Sequence, residues 1–256
     1  MKNCIDTLWD IHKNPAAGFE QSLLDPEQLS GFPTDLESGQ QLQLQLLERW
    51  LANGETLGGW KIGMTSGASR NAMGAGIRPF GFILKNRIKT SADTLSVKEL
   101  HRGQIENELC FQIGKSLGSG ATPADAEASV ASILPAFEIN QKRLHADAPA
   151  PLRIADNLSN WGIVIGEPVA PQAVLEKMTV TLSGENRIIE AVASEGHIDD
   201  HYESLATLAN HLAQYNYALE PGQYVITGAY GKTPFAPGTF QGHFDCGIGD
   251  VTTHLA

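Results

Sequence analysis

The chain of 256 residues lacks the features that place a protein on nucleic acid, in a membrane or outside the cell. It has 18 lysines and arginines against 29 aspartates and glutamates, a net charge of −11, so we expect no basic face for phosphate binding. No run of about 18 apolar residues is present, and none is expected to span a membrane. The first residues lack the apolar core of a signal peptide. These absences predict a protein that binds neither nucleic acid nor membrane.

Cysteine is scarce as well. The three cysteines, Cys4, Cys110 and Cys246, are odd in number and widely spaced, which predicts a reducing compartment and no disulfide framework. Cys110 is expected to pack as a small core residue on the side of its strand opposite the neighbouring carboxylates. We therefore predict a cytoplasmic protein that acts on a small molecule.

What the chain does have is carboxylates in apolar surroundings. Glu106 and Glu108 lie in residues 105–113 (IENELCFQI), and Glu138 lies in residues 134–139 (LPAFEI). Burying an ionised carboxylate without a partner is costly. In a β-strand, residues two apart point to the same face, roughly 7 Å apart. Three oxygen donors predict a site for Mg²⁺, Mn²⁺ or Ca²⁺ rather than zinc, with a solvated strand face as the alternative.

The spacing of apolar residues, together with the placement of glycine and proline, divides the chain into a helical N-terminal segment, residues 1–58, and a β-rich core, residues 59–256. An apolar stripe at helical spacing ends at Asn53 and Gly54, and four glutamines are expected to form the solvated face of that helix. Later helices are predicted at residues 122–134 and around residues 205–215. The stripe is Leu42, Leu46, Leu47, Trp50 and Leu51; the glutamines are Gln40, Gln41, Gln43 and Gln45.

Short strands separated by glycine and proline occupy the core. Because they are uneven in spacing, they predict a mixed, β-rich α/β fold rather than a doubly wound sheet. The predicted strands are residues 60–64, 109–113, 137–139, 161–165, 179–182, 188–191 and 223–227.

Two polar segments stand beside these strands. Residues 59–66 (GWKIGMTS) place Lys61 in an apolar strand, where a lysine either reaches the surface or is held beside carboxylates and an anionic substrate. Residues 154–166 (IADNLSNWGIVIG) lead from a polar turn into an apolar strand. Asp and Asn are common turn residues, so by itself this segment is interpreted as structural.

Taken together and in order, the motifs resemble the 2-keto-4-pentenoate hydratase and 4-oxalocrotonate decarboxylase family of the fumarylacetoacetate hydrolase superfamily. They are Gly-x-Lys-Ile-Gly-x-Thr-Ser, Glu-x-Glu, a third Glu, Asp-Asn-x-Ser and Leu-x-Pro-Gly-x-x-Val-x-x-Gly. The resemblance runs from about Trp60 to the C-terminus, with residues 239–249 matching the family's final strand pair. It implies a mixed β-sandwich roll with the helical N-terminus packed beside it, and a homo-oligomer.

The resemblance also implies a site. Glu106, Glu108 and Glu138 match the metal-binding carboxylates, with Mg²⁺ or Mn²⁺ as the cofactor, and Lys61 matches the active-site lysine. The same motifs make Ser66, Asn157 and Ser159 candidates for substrate binding. A 2-oxo acid can chelate a hard cation through its carboxylate and carbonyl, and the cation then stabilises a developing enolate.

One departure from the family concerns the loop after the lysine segment. Hydratases of the family generally have an aspartate there, whereas residues 77–82 (IRPFGF) place Pro79 or Phe80 at that position. This departure favours decarboxylation, while the whole motif order narrowly favours hydration. We predict a metal-dependent lyase acting on an unsaturated 2-oxo or 2-hydroxydienoate acid of aromatic catabolism, most simply a hydratase. The alternatives are a 4-oxalocrotonate-type decarboxylase, an acylpyruvate C–C hydrolase, and a non-catalytic subunit that supports a neighbouring pathway enzyme.

Residues 197–201 (HIDDH) have the spacing of a second metal site, because histidines four apart share one face of a helix. The segment also precedes an amphipathic helix, so a solvated N-cap is the preferred interpretation. Asp199 and Asp200 are both expected to favour the start of that helix electrostatically.

Overall fold

Three β-sheets, of seven, five and two strands, and five α-helices are present in the part of the chain that the structure, a computed structural model, describes: residues 2–14, 26–100, 102–171, 175–185 and 187–256. The predicted mixed, β-rich α/β class is confirmed. Within these ranges we find no helix that could cross a bilayer. The helices are α1 (Cys4–Lys13), α2 (Leu36–Ala52), α3 (Pro123–Ser129), α4 (Ala150–Ala155) and α5 (His201–Ala213).

The larger sheet has seven strands in the order β4-β3-β12-β7-β8-β9-β5. Neighbours pair antiparallel except β12 with β3 and β5 with β9, which are parallel. The long antiparallel pair β7–β8 lies at its centre and carries the glutamates. The strands are β3 (Leu57–Ile62), β4 (Phe80–Leu84), β5 (Ile88–Thr90), β7 (Gly103–Ile113), β8 (Val130–Gln141), β9 (Asn160–Ile165) and β12 (Tyr224–Pro234).

The smaller sheet has five strands in the order β11-β10-β13-β14-β6, and it packs against one face of the larger sheet. Phe137 of the larger sheet and Phe244 of the smaller one share this apolar core. The final strand pair predicted at residues 239–249 is present as β13 and β14, but it extends to Leu255. The strands are β6 (Thr94–Leu95), β10 (Thr179–Gly184), β11 (Arg187–Ala193), β13 (Gly238–Phe244) and β14 (Gly249–Leu255); a separate two-stranded pair joins β1 (Lys2–Asn3) to β2 (Leu29–Ser30).

The central strand β7 divides its side chains between two environments. Ile105, Leu109 and Phe111 point into the main core, whereas Cys110 packs in a small second cluster with residues of β8, β9 and β12. Cys110 is buried as predicted, but its predicted orientation was wrong. It lies two residues from Glu108 and therefore shares the face of the carboxylates.

Helix α2 begins with a capping box at Asp35 and ends at Asn53, as the stripe predicts. The predicted glutamine face is confirmed for Gln41 and Gln45, which are exposed, but was wrong for Gln40 and Gln43, which are buried. The Gln43 amide donates to the carbonyl oxygens of Phe80, at 2.6 Å, and Ile154, at 3.1 Å. These bonds satisfy backbone groups of the core, so the helix buries two polar side chains along with its leucines. The stripe is also shorter than predicted, since Leu51 is exposed.

Other predicted element boundaries also differ from those in the structure. Thr122 caps α3 and Pro123 occupies its first turn, as predicted, but the helix ends at Ser129 rather than at residue 134. Residues from Val130 onward pair with β7 instead, because β-branched Val130 and Ile133 fit a buried strand. The strand predicted at residues 60–64 ends at Ile62.

The helical content predicted for the N-terminus is carried by α1 and α2, while residues 15–25 lie outside the described residues. Both helices pack on the core, and α1 reaches it through a buried hydrogen bond of 3.0 Å between His12 Nε2 and Asp156 Oδ1. The boundary between residues 58 and 59 stays a prediction.

Candidate metal centre and active-site cavity

Three glutamates converge on one face of the seven-stranded sheet. Glu106 on β7 is the direct cross-strand partner of Glu138 on β8, and Glu108 follows two residues along β7. One carboxylate oxygen from each lies within 4.8 Å of the other two. The alternation of side chains in a strand therefore gathers the three residues that the sequence singled out.

Each of the two most buried carboxylates is held by a different kind of contact. Glu108 Oε2 accepts a hydrogen bond from the backbone N–H of Gly228 at 2.5 Å. Glu138 Oε1 accepts from Asn160 Nδ2 at 2.7 Å and from the Lys61 ammonium, which forms an ion pair with it. Glu108, Glu138 and Lys61 are 3%, 1% and 7% exposed, so these contacts are shielded from solvent.

The carboxylates open into a cavity of about 560 Å³, a size typical of small-molecule sites. Lys61 and the residues that follow β3 form one wall, and the segment after β8 forms another. Residues of β12 complete it. The lining includes Lys61, Ser66, Gln104, Asn140, Lys142, Arg153, Leu158, Ser159, Glu190, His197, Tyr230 and Lys232.

Burial and the neighbouring charges disfavour ionisation of Glu106 and Glu108. Burial, reinforced by the charge of Glu138, raises the pKa of Glu106 to about 7 and the pKa of Glu108 well above its usual range. Burial acts to lower the pKa of Lys61, but the charges of Glu138, Glu108 and Glu106 outweigh it and the pKa is raised. The lysine therefore stays an ammonium, and the cluster has three carboxyl groups for this one cation.

This imbalance is what a hard divalent cation would correct. Three buried carboxylates face one ammonium, and without a further cation they are left to repel one another or take up protons. All three offer oxygen, the donor that Mg²⁺, Mn²⁺ and Ca²⁺ prefer. The residues present therefore fit a divalent metal ion.

Of the three residues predicted to bind substrate, two lie on the cavity wall and one does not. Ser66 and Ser159 line the cavity. Asn157 does not: its side-chain oxygen accepts from the Phe82 N–H at 2.8 Å, and its amide donates to the Phe82 carbonyl at 2.9 Å. The assignment of Asn157 to substrate binding therefore needs correction, because both ends of its amide join the turn to β4.

That turn is built from three consecutive left-handed residues. Asn157, Leu158 and Ser159 have φ values of 58°, 51° and 65°. Residues other than glycine seldom adopt this conformation, and clusters of it are found where surrounding structure enforces them near functional sites. The Asn157 bonds to β4 supply that enforcement here, and the turn places Leu158 and Ser159 on the cavity wall.

The loop with the missing aspartate lies beside the lysine segment. Phe80 pairs with Ile62 of β3, and the Pro79 carbonyl accepts from the N–H of Gly63 at 2.8 Å. The Phe80 ring packs on Trp60 in the core. Among the described residues that line the cavity, the carboxylates are therefore the three glutamates and Glu190.

The segment containing His197 and His201 forms no metal site. In the described chain, Glu106, Glu108 and Glu138 are the one group of three potential ligands close enough to hold an ion. Asp200 caps α5 as predicted. Asp199 does not act at the helix start but forms ion pairs with Arg78 at 2.6 Å and Arg70 at 3.0 Å, which corrects the prediction for that residue.

Sequence reasoning missed several groups around the cavity. Asn160 and the Gly228 amide hold two of the carboxylates, and Arg153 and His197 form part of the wall. The glycine in the motif at residues 219–228 was a usable signal, since a fixed glycine marks a special backbone position. Nothing local distinguishes Asn160 from the turn residues before it.

Comparison with known proteins supports the predicted kinship, although no family model matches the chain. A 2-hydroxypent-2,4-dienoate hydratase of Pseudomonas putida is 29% identical over 205 residues, covering 78% of this chain and 92% of the relative. A 4-oxalocrotonate decarboxylase of a Pseudomonas species is 27% identical over 190 residues, covering 74% of each. The resemblance to hydratases and decarboxylases is thereby confirmed.

Solved structures confirm the predicted fold. The 4-oxalocrotonate decarboxylase of Pseudomonas putida G7, in complex with calcium and acetate, superposes with a TM-score of 0.83 at 20% identity and covers 98% of both chains. The same enzyme was also solved with magnesium and adipate. A fumarylacetoacetate hydrolase family protein of Yersinia pestis CO92 matches with a TM-score of 0.63 at 15% identity, over 79% of this chain and 94% of that one.

Proposed function

We propose that the protein is a divalent-metal-dependent lyase acting on an unsaturated 2-oxo or 2-hydroxydienoate acid, most simply as a 2-hydroxypenta-2,4-dienoate hydratase of aromatic catabolism. The observation that carries the proposal is the convergence of Glu106, Glu108 and Glu138 on the wall of one cavity. Kinship with a dienoate hydratase and an oxalocrotonate decarboxylase points to the same substrate class.

Glu106, Glu108 and Glu138 would hold Mg²⁺ or Mn²⁺. A cation held there would polarise the carbonyl of a 2-oxo acid and offset the negative charge that develops on its oxygen. Lys61 forms an ion pair with Glu138, and its ammonium offers a positive partner to the substrate carboxylate. Ser66 and Ser159 offer hydroxyl groups that orient a polar substrate.

Decarboxylation of a 4-oxalocrotonate-type diacid is the second candidate. The observation that favours it is the loop of residues 77–82, in which Pro79 and Phe80 provide no acid or base to move the proton of an attacking water. Loss of CO₂ needs only an electron sink, so this route does not depend on a group at that position. The acylpyruvate hydrolase and scaffold alternatives have no such observation in their favour.

Parallel assays with two substrates test the proposal. The purified chain with Mg²⁺ or Mn²⁺ is given 2-hydroxypenta-2,4-dienoate and a 4-oxalocrotonate-type diacid in parallel assays, with ultraviolet absorbance and CO₂ release followed together. We expect metal-dependent loss of the dienoate without CO₂. Faster CO₂ release from the diacid would establish the second candidate, and no turnover of either substrate would contradict the lyase assignment.

The proposal extends to the setting of the enzyme. All three cysteines are free, which supports a cytoplasmic location. The edge strand β11 exposes Ile188 and Ile189, a feature that supports a homo-oligomer and contact with a neighbouring pathway enzyme. Sedimentation velocity tests the first association, and a monomer at micromolar concentration would contradict it.

A further inference from the structure

Strand β12 is irregular where it passes the glutamates. Its residues Ile226, Ala229 and Lys232 pair with Cys110, Glu108 and Glu106 of β7. Successive partners are therefore three residues apart in β12 but two residues apart in β7. This mismatch occurs twice, once on each side of Glu108. Each mismatch is a bulge with one extra residue, and bulges are common next to active sites because they redirect backbone groups.

The first bulge presents a backbone donor to the metal-binding cluster. Within it, Gly228 has φ of 139°, a conformation that favours glycine, and donates its N–H to Glu108 Oε2 at 2.5 Å. A side chain at Gly228 would clash with the Thr65 hydroxyl and with Ile198. The orientation of the Glu108 carboxylate therefore depends on the bulge keeping its shape.

His201 connects the two bulges. Hydrogen bonds of 2.7 Å join its Nδ1 to Thr227 Oγ1 in the first bulge and its Nε2 to the Tyr230 hydroxyl in the second. Burial lowers the pKa of His201 to about 4, so the ring is neutral near pH 7. A neutral imidazole has one donor and one acceptor nitrogen, and hydroxyl groups can match either. The ring thus spans the stretch of β12 that contains Gly228.

This contact is made from the far side of the sheet. His201 packs against Phe111, which is three residues from Glu108 in β7 and points to the opposite face. It is the first residue of α5, whose start is fixed by the Asp200 cap. Thr65 adds a second constraint from the lysine segment, since its hydroxyl donates to the Thr227 carbonyl at 2.8 Å.

We propose that His201 is a positioning residue for the metal centre: by bridging Thr227 and Tyr230 it fixes the double bulge and aims the Gly228 amide at Glu108. The inference rests on the proposed function, because it takes the three glutamates as the metal-binding site. It gives a role to the second histidine of the HIDDH segment that needs no metal at that residue.

Calorimetric titration of the full chain with Mn²⁺ tests this role. Loss of a partner that orients a metal ligand typically weakens metal binding by about 10–100-fold, and we expect a loss of this size for His201→Leu. The matched control is His211→Leu, on the same helix, whose Nδ1 lies 3.1 Å from the Arg78 carbonyl oxygen. It removes a hydrogen bond of α5 without touching β12, so its affinity for Mn²⁺ should equal that of the wild type.

Two milder variants keep the test decisive if His201→Leu does not fold. Thr227→Val and Tyr230→Phe each remove one end of the bridge with little change of shape, and each should weaken Mn²⁺ binding by about 10-fold while the unfolding midpoint moves little. Wild-type affinity for Mn²⁺ in folded His201→Leu, or in both milder variants, would overturn the role of His201 but leave the metal site standing. An equal loss of affinity in His211→Leu would have the same consequence. Absence of Mn²⁺ binding by the wild type would instead overturn the metal site itself.

Discussion

Two buried charged clusters, both contacted by Asn160, differ in charge balance. Around Asp156, a single carboxylate accepts from Arg143 Nε at 2.8 Å, and His12 completes the group. Around Glu138, three carboxylates share the ammonium of Lys61. The first cluster pairs one carboxylate with one guanidinium and is buried, whereas the second has three carboxyl groups for one cation and opens into the cavity.

We interpret the balanced cluster as structural and the unbalanced cluster as the proposed metal site. Arg143 also donates to the carbonyl oxygens of Asp156, at 2.8 Å, and Asn160, at 3.1 Å, so the balanced cluster links α1, α4 and β9. Asn160 in turn donates to Glu138. The balanced cluster thus supports the proposed metal site, and removing a charge should have opposite consequences in the two clusters.

The largest effect is expected for Glu108→Gln in the functional cluster. The amide keeps the shape but removes a negative ligand, so metal-dependent turnover should fall by about 1,000-fold or more, given that outer partners alone cost about 10–100-fold. The unfolding free energy without metal should not fall, because a repelling charge is lost. Steady-state kinetics and urea unfolding with a chelator measure the two effects. A stability loss without an activity loss would contradict a functional role.

In the balanced cluster, Asp156→Asn should have the reverse effect. It leaves the Arg143 guanidinium buried without its carboxylate, which is expected to cost about 3–5 kcal/mol of unfolding free energy. Urea unfolding of the metal-free protein provides the measurement. Asp6→Asn is the control, because its ion pair with Arg49 is 51% and 36% exposed and should contribute at most about 1 kcal/mol. Similar losses of unfolding free energy in Asp156→Asn and Asp6→Asn would show that the buried cluster stabilises the fold no more than a surface ion pair does.

The balanced cluster should also respond to pH. Burial, followed by the charge of Arg143, lowers the pKa of His12 from 6.5 to about 4 in the folded state. The unfolded chain therefore binds more protons between these values, so the His12 contribution to stability is complete above pH 6.5 and is lost as pH falls towards 4. The loss is up to about 3 kcal/mol.

Urea unfolding at pH 4.5 to 7.5 measures this slope. His12→Asn should have a smaller slope than the wild type, since an asparagine does not titrate. The comparison is made at equal salt and with chelator present, so that the glutamates contribute equally to both proteins. Parallel curves for the two proteins would show that His12 does not titrate with an altered pKa.

A smaller effect is expected for Lys61→Met, which removes the one cation of the unbalanced cluster. Binding of oxalate to the metal-loaded protein should weaken by about 1.5–3 kcal/mol, the value of a charge-assisted hydrogen bond. Affinity for Mn²⁺ should not fall, because a positive neighbour of Glu138 is lost. Calorimetric titrations with oxalate and with Mn²⁺ measure the two affinities separately. Unchanged oxalate binding would make Lys61 a structural partner of Glu138 only.

The sequence allowed the charged centre to be predicted because its residues follow local rules. Glu106 and Glu108 share a face through the period of a strand, and apolar neighbours place Glu138 and Lys61 in buried strands. The same local rules misplaced Gln43, because only tertiary packing brings the Phe80 carbonyl to the helix. They also extended α3 past Ser129, where pairing with β7 overrides helix propensity.

The supporting residues could not be predicted in this way. The contact between Gly228 and Glu108 depends on the register of β12, which two bulges shift, and no sequence pattern in either strand fixes those shifts. Asn157 and Asn160 look equivalent in the sequence, yet one holds β4 and the other holds Glu138. Their roles follow from three left-handed residues whose conformation is set by surrounding contacts.

Calorimetric titration with Mn²⁺ of the wild type, Glu106→Gln, Glu138→Gln and Glu190→Gln tests most directly whether the unbalanced cluster is a metal site. Glu190 is the matched control, a carboxylate of the same cavity that lies outside the group of three. We predict one Mn²⁺ per wild-type chain, unchanged binding by Glu190→Gln, and affinity weakened by about 100-fold or more in the other two variants. Wild-type affinity in both Glu106→Gln and Glu138→Gln would contradict the assignment.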